Sequence, residues 1–414
     1  MFSTPSDALG LYISIPFCRS KCTYCNFASG VYPASEHTRY VNRLIEQLAS
    51  ARAWAEQMYV KLPRRVDTIY LGGGTPSLLA SELLSRLFSA MRAEFDMEPD
   101  AEITVECAPG QLTDETLDAL LAAGVNRVSL GVQSFIDREA SISGRLHSRA
   151  VVIDDLHRLR AAGIVNLNVD LIAGLAGQTF ASWEESLAVL HDCDVPHASV
   201  YMLEVDEDSR LGREMLAHGV RYHADLVPSD DAIAQMYSLA IESLNATGLD
   251  QYEISNFCKP GMESRHNLRY WQRRPYLGLG LDASSMLIAT PNPDSRPRES
   301  FVLRSTTTDD LKAFLNGDHP IETEWLTLAK QHEEAWFLGL RLNAGVEVAS
   351  LGQEFGSAMV TPALEAVAHL ADAGLVTFDG KTVRLTAQGR LLSNDVFQEF
   401  LDLQPQLSLK ISGD

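Results

Sequence analysis

The chain has 414 residues, 46% hydrophobic and 21% charged, with 55 acidic against 34 basic residues and a formal charge of −21. That length suits one large domain and a smaller one, and no apolar run approaches the roughly 18 residues of a membrane span. The negative field repels nucleic acid and anionic lipid headgroups. The acidic surface otherwise reads as solubility or as a face for a basic partner. The opening "MFSTPSDALG" lacks the basic start and apolar core of a signal peptide. The expected location is therefore cytoplasmic, without a transmembrane segment, where thiols stay reduced.

A first strand is expected at residues 11–15, leading into "PFCRSKCTYCNF". A helix follows at 36–58, then a strand at 67–71 ending in "GGGTPS", and a helix at 81–95. Strand 102–107, helix 113–123, strand 127–132, helix 148–162, strand 166–172, helix 181–191 and strand 198–203 complete six βα repeats. Gly124 and Gly163 stand where helix C-caps are expected. Alternation of strand and helix predicts a parallel sheet.

The strands also carry polar residues on one face only. Thr104 and Glu106 alternate with Ile103, Val105 and Cys107; Asn168 and Asp170 alternate with Leu167, Val169 and Leu171; Ser129, Gly131 and Gln133 share a face. Strands sandwiched between helix layers are apolar on both sides. Polar faces near strand C-terminal ends fit a barrel with its site at that mouth. The fold class is therefore α/β, a partial (β/α)6 TIM-like barrel.

Beyond 204 the chain is polar and then helical, followed by "YEISNF", "HNLRYW" and the glycine-rich "YLGLGLDASS". The proline-rich "ATPNPDSRPRES" at 289–300 reads as a linker or turn region. Helices at 333–342, 351–355 and 362–374 and a hairpin turning on Asp379-Gly380 predict a small winged-helix-like α+β domain. Residues 321–414 hold 6 Lys/Arg against 13 Asp/Glu, which points to a structural or protein-binding role rather than DNA. The expected units are a core barrel at 8–240, an extension with linker at 241–300, and a C-terminal domain at 301–414.

Cys18, Cys22 and Cys25 fall within eight residues, whereas Cys107, Cys193 and Cys258 are isolated and read as buried small hydrophobes. Zinc in a structural site wants four ligands, and a catalytic thiol needs only one. Three thiolates suit an iron–sulfur cubane with one iron left open.

The spacing Cys18-x-x-x-Cys22-x-x-Cys25, with Tyr24 before the last cysteine, resembles the radical S-adenosylmethionine superfamily signature. The resemblance implies a 4Fe–4S cluster on these cysteines as metal ligands. The open iron would be chelated by S-adenosylmethionine, which the reduced cluster cleaves to methionine and a 5′-deoxyadenosyl radical. By the same resemblance Gly73, Gly74 and Thr75 form the loop that holds the methionine amino group. Glu106, Gln133, Arg145 and Asp170 match positions that contact S-adenosylmethionine, while Tyr12 and Tyr24 flank the cluster.

"IPFCRSKCTYC", "GGGTP", "GVQSF" and "VDLIAGLAGQT" resemble the oxygen-independent coproporphyrinogen III oxidase branch. "HNLRYW", "YEISNF" and the compact C-terminal domain resemble its heme chaperone HemW group. Phe27 stands where the true oxidases carry another cysteine, so oxidase activity is not expected. Ser14 departs from the branch, which has histidine there. His266 is either a heme-iron ligand, with Tyr270 and Trp271 covering the macrocycle, or a cap on the segment that closes the barrel. The implied function is a chaperone that binds cluster, S-adenosylmethionine and heme and delivers heme to acceptors such as respiratory enzymes. The alternative is a radical enzyme: a methyltransferase, a cyclopropane-forming enzyme or a porphyrin-processing enzyme.

Overall fold

The computed structural model describes residues 8–290, 302–317 and 321–403. The barrel elements are, in order, β1 (Leu9–Ile15), α1 (Ala34–Gln57), β2 (Arg65–Gly73), α2 (Ser81–Glu94), β3 (Asp96–Cys107), α3 (Asp114–Ala122) and β4 (Arg127–Gln133). There follow α4 (Asp137–Ile142), α5 (Arg149–Ala161), β5 (Asn166–Ala173), α6 (Phe180–Asp192) and β6 (His197–Met202). Next are α7 (Arg210–Leu216), a 3₁₀ turn at Arg221–Leu226, α8 (Asp230–Ala246), β7 (Asp250–Gln251), β8 (Asn256–Cys258) and α9 (Arg265–Trp271). β9 (Tyr276–Leu279), β10 (Ser284–Ile288), β11 (Val302–Thr306), α10 (Leu311–Asn316) and β12 (Glu322–Leu326) complete the first unit.

Strands β1 to β6 are neighbours in sequence order and pair in parallel. β8 and β7 extend one edge, and β9 to β12 extend the other. The sheet order ends at β7 and β12, so among the described residues the barrel is open. The expected partial barrel is what forms. Outward residues such as Ile13, Leu71, Val105, Val128, Val169 and Val200 are buried under the helices, which is where the apolar stripe of each amphipathic helix goes. Gly124 and Gly163 take φ of +82° and +93°, as helix-ending residues of this kind do.

The second unit holds α11 (Leu328–Leu340), β13 (Val346–Glu347), α12 (Val348–Phe355), α13 (Ser357–Asp372), β14 (Val376–Phe378), β15 (Thr382–Leu385), α14 (Ala387–Leu391) and α15 (Ser393–Gln398). Its three-stranded sheet has the order β13-β15-β14. The hairpin turns where Gly380 takes φ +84° and Asp379 Oδ1 accepts the N–H groups of Lys381 and Thr382. This is the winged-helix-like arrangement expected. One boundary differs from expectation. β11 and β12 continue the barrel sheet to Leu326, so the second unit begins near Leu328 rather than at 301. Apart from its first two residues, the expected linker at 289–300 lies outside the described residues.

Helix α9 plugs the bottom of the barrel. Ser264 caps it, its Oγ accepting Asn267 N–H. The Glu102 carboxylate accepts the N–H groups of Arg265 and His266 at the same end, which offsets the positive end of the helix. Arg269 is wholly buried and pairs with Asp67, which Arg274 also reaches at 2.7 Å. It donates further to Thr68 Oγ1 and to the carbonyls of Ala8 and Pro275. Gly10 makes room for it, since a Cβ there would lie 2.4 Å from Arg269 Cδ. Removing one partner of a buried pair leaves an uncompensated charge. Arg269→Ala is therefore expected to destabilise the fold by ~3–5 kcal/mol in urea denaturation; a change under ~1 kcal/mol would contradict this role.

Candidate functional site

The cluster loop is pinned before any ligand is considered. Cys18 N–H donates to Gly30 O at 2.9 Å and Gly30 N–H to Pro16 O at 2.8 Å, closing the loop at its base. Lys21 Nζ donates to the carbonyls of Phe27 and Ser29. Thr23 N–H donates to Ser143 O, and Leu211 N–H donates to Thr23 O. All three thiols are free. Thr75 Oγ1 is 4.0 Å from Cys18 Sγ, and Ser29 Oγ is 3.9 Å from Cys25 Sγ. Burial raises the Cys18 pKa. Among the described residues no three His, Cys, Asp or Glu side chains gather around a single point. The cysteines instead border a cavity, where each could take a different iron of a cluster.

That cavity, about 570 Å³, opens at the C-terminal ends of the strands. It is lined by Cys18, Cys22, Cys25, Tyr24, Gly73, Gly74, Thr75, Glu106, Gln133, Arg145 and Asp170. The structure thus brings together eleven of the thirteen residues singled out from sequence, the cysteine triad among them. Gly74 is required for close approach: a Cβ there would lie 2.8 Å from both Ile15 O and Phe17 O. The N–H groups of Gly73, Gly74 and Thr75 are taken by Glu106, Ile15 O and Phe17 O. With its N–H donors spent inside the protein, the loop backbone can meet a ligand only as an acceptor, which suits an ammonium group.

Gln133 sits where the β4–β5 register shifts, with φ +72°. Bulges at barrel rims re-aim side chains in this way. Gly131 clears space for Arg145, because a Cβ there would lie 2.7 Å from Arg145 Nη2. The Arg145 Nε is buried without a hydrogen-bond partner. Burial opposes its charge, but Tyr24, Cys22 and Asp170 outweigh that and its pKa rises. An unsatisfied buried donor on a cation fits a carboxylate ligand.

Opposite stand two carboxyls. Glu106 accepts from Tyr70 OH at 2.9 Å and from Gly73 N–H at 3.1 Å. Burial, and then the neighbouring Asp170, push it up to about 7 despite those bonds. Asp170 accepts from Asn168 Nδ2 and Ser129 Oγ, and burial raises its pKa too. This half of the cavity fits cationic or hydroxyl groups. The donor set as a whole suits a ligand carrying an ammonium, a carboxylate and ribose hydroxyls. S-adenosylmethionine is such a ligand, with the triad beside it for a cluster.

Asp170 is held from behind by a directional chain. Asn168 gives its amide hydrogens to Asp170 and Ser129, so its Oδ1 must accept, and His197 Nδ1 lies 2.6 Å from it. His197 Nε2 then accepts from Tyr252 OH, which accepts Ser264 N–H at the head of α9. Burial, with Arg127, keeps His197 neutral well below its usual pKa. Tyr70, Tyr201, Arg127 and His197 were not singled out from sequence. Tyr70 could have been, since it shares the inward face of β2 with Thr68 and Gly72.

Two expected residues lie elsewhere. Tyr12 does not flank the cluster: β1 alternation places it beside Tyr70 (6.2 Å) and His266 (6.5 Å), lining a second cavity of about 350 Å³ with Tyr270, Trp271 and Arg304. Ser14 is the β1 residue near the mouth, buried with its Oγ 3.1 Å from where a Gly73 Cβ would stand. His266 is fully buried at the barrel floor. Its Nδ1 contacts Thr68 Oγ1 at 2.9 Å and its Nε2 contacts Tyr270 OH at 2.8 Å. Burial, and then Arg127, lower its pKa to about 3. Neither ring nitrogen is free for an iron, so the expected heme ligand is corrected to a residue that closes the barrel. Trp271 faces the second unit, with the Arg341 guanidinium 4.2 Å from its ring. The isolated Cys107, Cys193 and Cys258 are buried, as expected.

A (β/α) barrel with a three-cysteine loop at the mouth defines a radical S-adenosylmethionine protein, and the Radical SAM superfamily profile matches residues 12–190. The HemN C-terminal domain profile matches residues 326–392. Escherichia coli coproporphyrinogen III oxidase (HemN) superposes with TM-score 0.78 at 24% identity, covering 95% of this chain and 90% of that one, which shows a shared fold. The heme chaperone HemW of Lactococcus lactis is 33% identical over 97% of this chain and 98% of its own length. That of Bacillus subtilis is 35% identical over 94% and 98%. The chain belongs to the HemW family. Among the described residues no helix is long and apolar enough to cross a membrane.

If floor and mouth are separate, His266→Ala is expected to cost ~2–4 kcal/mol through two lost buried hydrogen bonds while cluster absorbance after anaerobic reconstitution stays at the wild-type level. Loss of the cluster in a folded variant would contradict the separation.

Proposed function

We propose that this protein is a heme chaperone that holds a 4Fe–4S cluster and S-adenosylmethionine at the barrel mouth, carries heme, and passes it to acceptor proteins such as respiratory enzymes. The observation that carries this reading is full-length similarity to curated heme chaperones, supported by a cavity lined by the cysteine triad, Arg145, Glu106 and Asp170. Phe27, in place of the extra cysteine of the oxidases, supports it against porphyrinogen decarboxylation. A reduced compartment, the cytoplasm, suits three free thiols at the cavity.

Cys18, Cys22 and Cys25 would hold the cluster, which supplies one-electron chemistry when bound. Arg145 would bind the methionine carboxylate, the Gly73–Thr75 loop carbonyls the ammonium, and Glu106 with Asp170 the ammonium or ribose hydroxyls. Gln133, aimed by its bulge, and Tyr24 would close the sides. Saturable heme binding by the anaerobically reconstituted protein, followed by absorbance, tests the reading; absence of binding would sink it.

Loss of Arg145 removes a charge-assisted hydrogen bond worth ~1.5–3 kcal/mol. Arg145→Ala is thus expected to weaken S-adenosylmethionine about ten- to a hundredfold in calorimetry; an unchanged Kd would reassign the arginine.

Glu106 gives a pH signature. Its carboxyl is raised to about 7, so it is largely protonated below that pH and ionised above. A cationic ligand favours the ionised form. S-adenosylmethionine binding is therefore expected to tighten as pH rises through 7 and to release protons below it, and Glu106→Gln should abolish both. A flat profile between pH 6 and 8 in the wild type would contradict a role for Glu106.

A further inference from the structure

Between β6 and α8 the chain forms an arm of α7 and the 3₁₀ turn at Arg221–Leu226. Its inner side is packed. Leu211 and Ala224 are buried with Ile172, Leu175 and Leu203, and Ile172 and Leu203 also line the cofactor cavity. Leu211 N–H donates to Thr23 O in the cluster loop. Glu214 ties the arm together, its Oε1 accepting Arg221 N–H.

The outer side is unusual. Leu216 is 61% and Val220 70% exposed, with Tyr222 and Leu226 also exposed. Four large apolar side chains left in water within eleven residues mark a binding surface. Interleaved with them are the exposed His218, Arg221 and His223. His218, Tyr222 and His223 have φ of +51°, +58° and +57°. Left-handed backbone at three side-chain-bearing residues costs free energy, and such strain gathers at ligand clamps.

Among the described residues the other histidines do not offer this setting. His147, His197, His266 and His332 are buried with ring nitrogens engaged, and His37 is stacked on Phe17 at 3.9 Å. His157, His191 and His369 lie on α5, α6 and α13 with no exposed large apolar residue one turn away. A heme needs an imidazole or phenolate for its iron, apolar cover for the macrocycle and a cation for its propionates. The segment from Leu216 to Leu226 holds all three.

We infer that heme docks on the outer face of this arm, its iron ligated by His218 or His223, its ring covered by Leu216, Val220 and Leu226, and its propionates met by Arg221. This rests on the chaperone reading and locates its cargo next to the cofactor cavity rather than at the barrel floor.

The test is hemin titration of the anaerobically reconstituted full chain, followed by Soret absorbance. Wild type is compared with His218→Ala/His223→Ala, with Leu216→Asp/Val220→Asp and with the control His191→Ala. The expected result is at least tenfold weaker binding and a shifted Soret band for the histidine pair, and tenfold weaker binding for the aspartate pair. The control should match wild type, and all variants should keep cluster absorbance. Wild-type affinity and spectrum in both double variants would overturn the arm as the site while leaving the chaperone reading intact. No saturable binding by the wild type would overturn that reading and this one together.

Discussion

Every polar side chain facing inward from a barrel strand must find a hydrogen bond or be left for a ligand, because an unpaired buried polar group costs about 1–3 kcal/mol. That constraint divides this lumen into two floors. On the lower one His266, Thr68, Arg269, Asp67, His197, Asn168 and Tyr252 satisfy one another. On the upper one Arg145 keeps an unpaired Nε, and two carboxyls with raised pKa share a cavity. The lower floor is largely closed by the fold, although Arg127 Nε there is also buried without a partner; the upper floor lines a cavity open to a ligand.

The two carboxyls of the upper floor, though not the cysteine loop, are linked to the lower floor. Tyr70 donates to Glu106 above and stands 5.4 Å from the His266 ring below. The chain from Ser264 through Tyr252, His197 and Asn168 ends on Asp170. Both routes start at α9, and α9 is also the seam to the second unit through Trp271–Arg341 and the paired hydrogen bonds of Arg273 to Glu354. The small domain therefore buttresses the helix from which both routes to the two carboxyls of the mouth cavity start. Arg127, fully buried in β4, helps keep His197 and His266 neutral, so that their ring nitrogens stay committed to these bonds.

Much of this was legible in the sequence. Period-two alternation in β3, β4 and β5 exposed a polar lumen, and the cysteine spacing marked the mouth. The C-terminal hairpin was legible in Asp379-Gly380. Tyr12 went to the wrong floor because motif proximity carries no depth: a strand rises about 3.3 Å per residue, which takes Tyr12 well below the loop that Cys18 begins; of the two readings of His266, the one that closes the barrel matches its hydrogen bonds. His197 and Tyr252 were silent because their meaning is a contact across 55 positions. β11 and β12 were hidden behind the proline-rich stretch, which looked like the end of the first unit.

Heme chaperoning asks for a protein that takes heme and gives it up, and an outer arm packed against the cluster loop suits that exchange better than a closed barrel floor. Heme transfer is the most direct measurement of the account. The reconstituted, heme-loaded protein would be mixed anaerobically with an apo respiratory heme protein, with S-adenosylmethionine present, and the acceptor's heme spectrum followed. The account predicts transfer to the acceptor. Heme that stays on this chain while free hemin reconstitutes the same acceptor would contradict it.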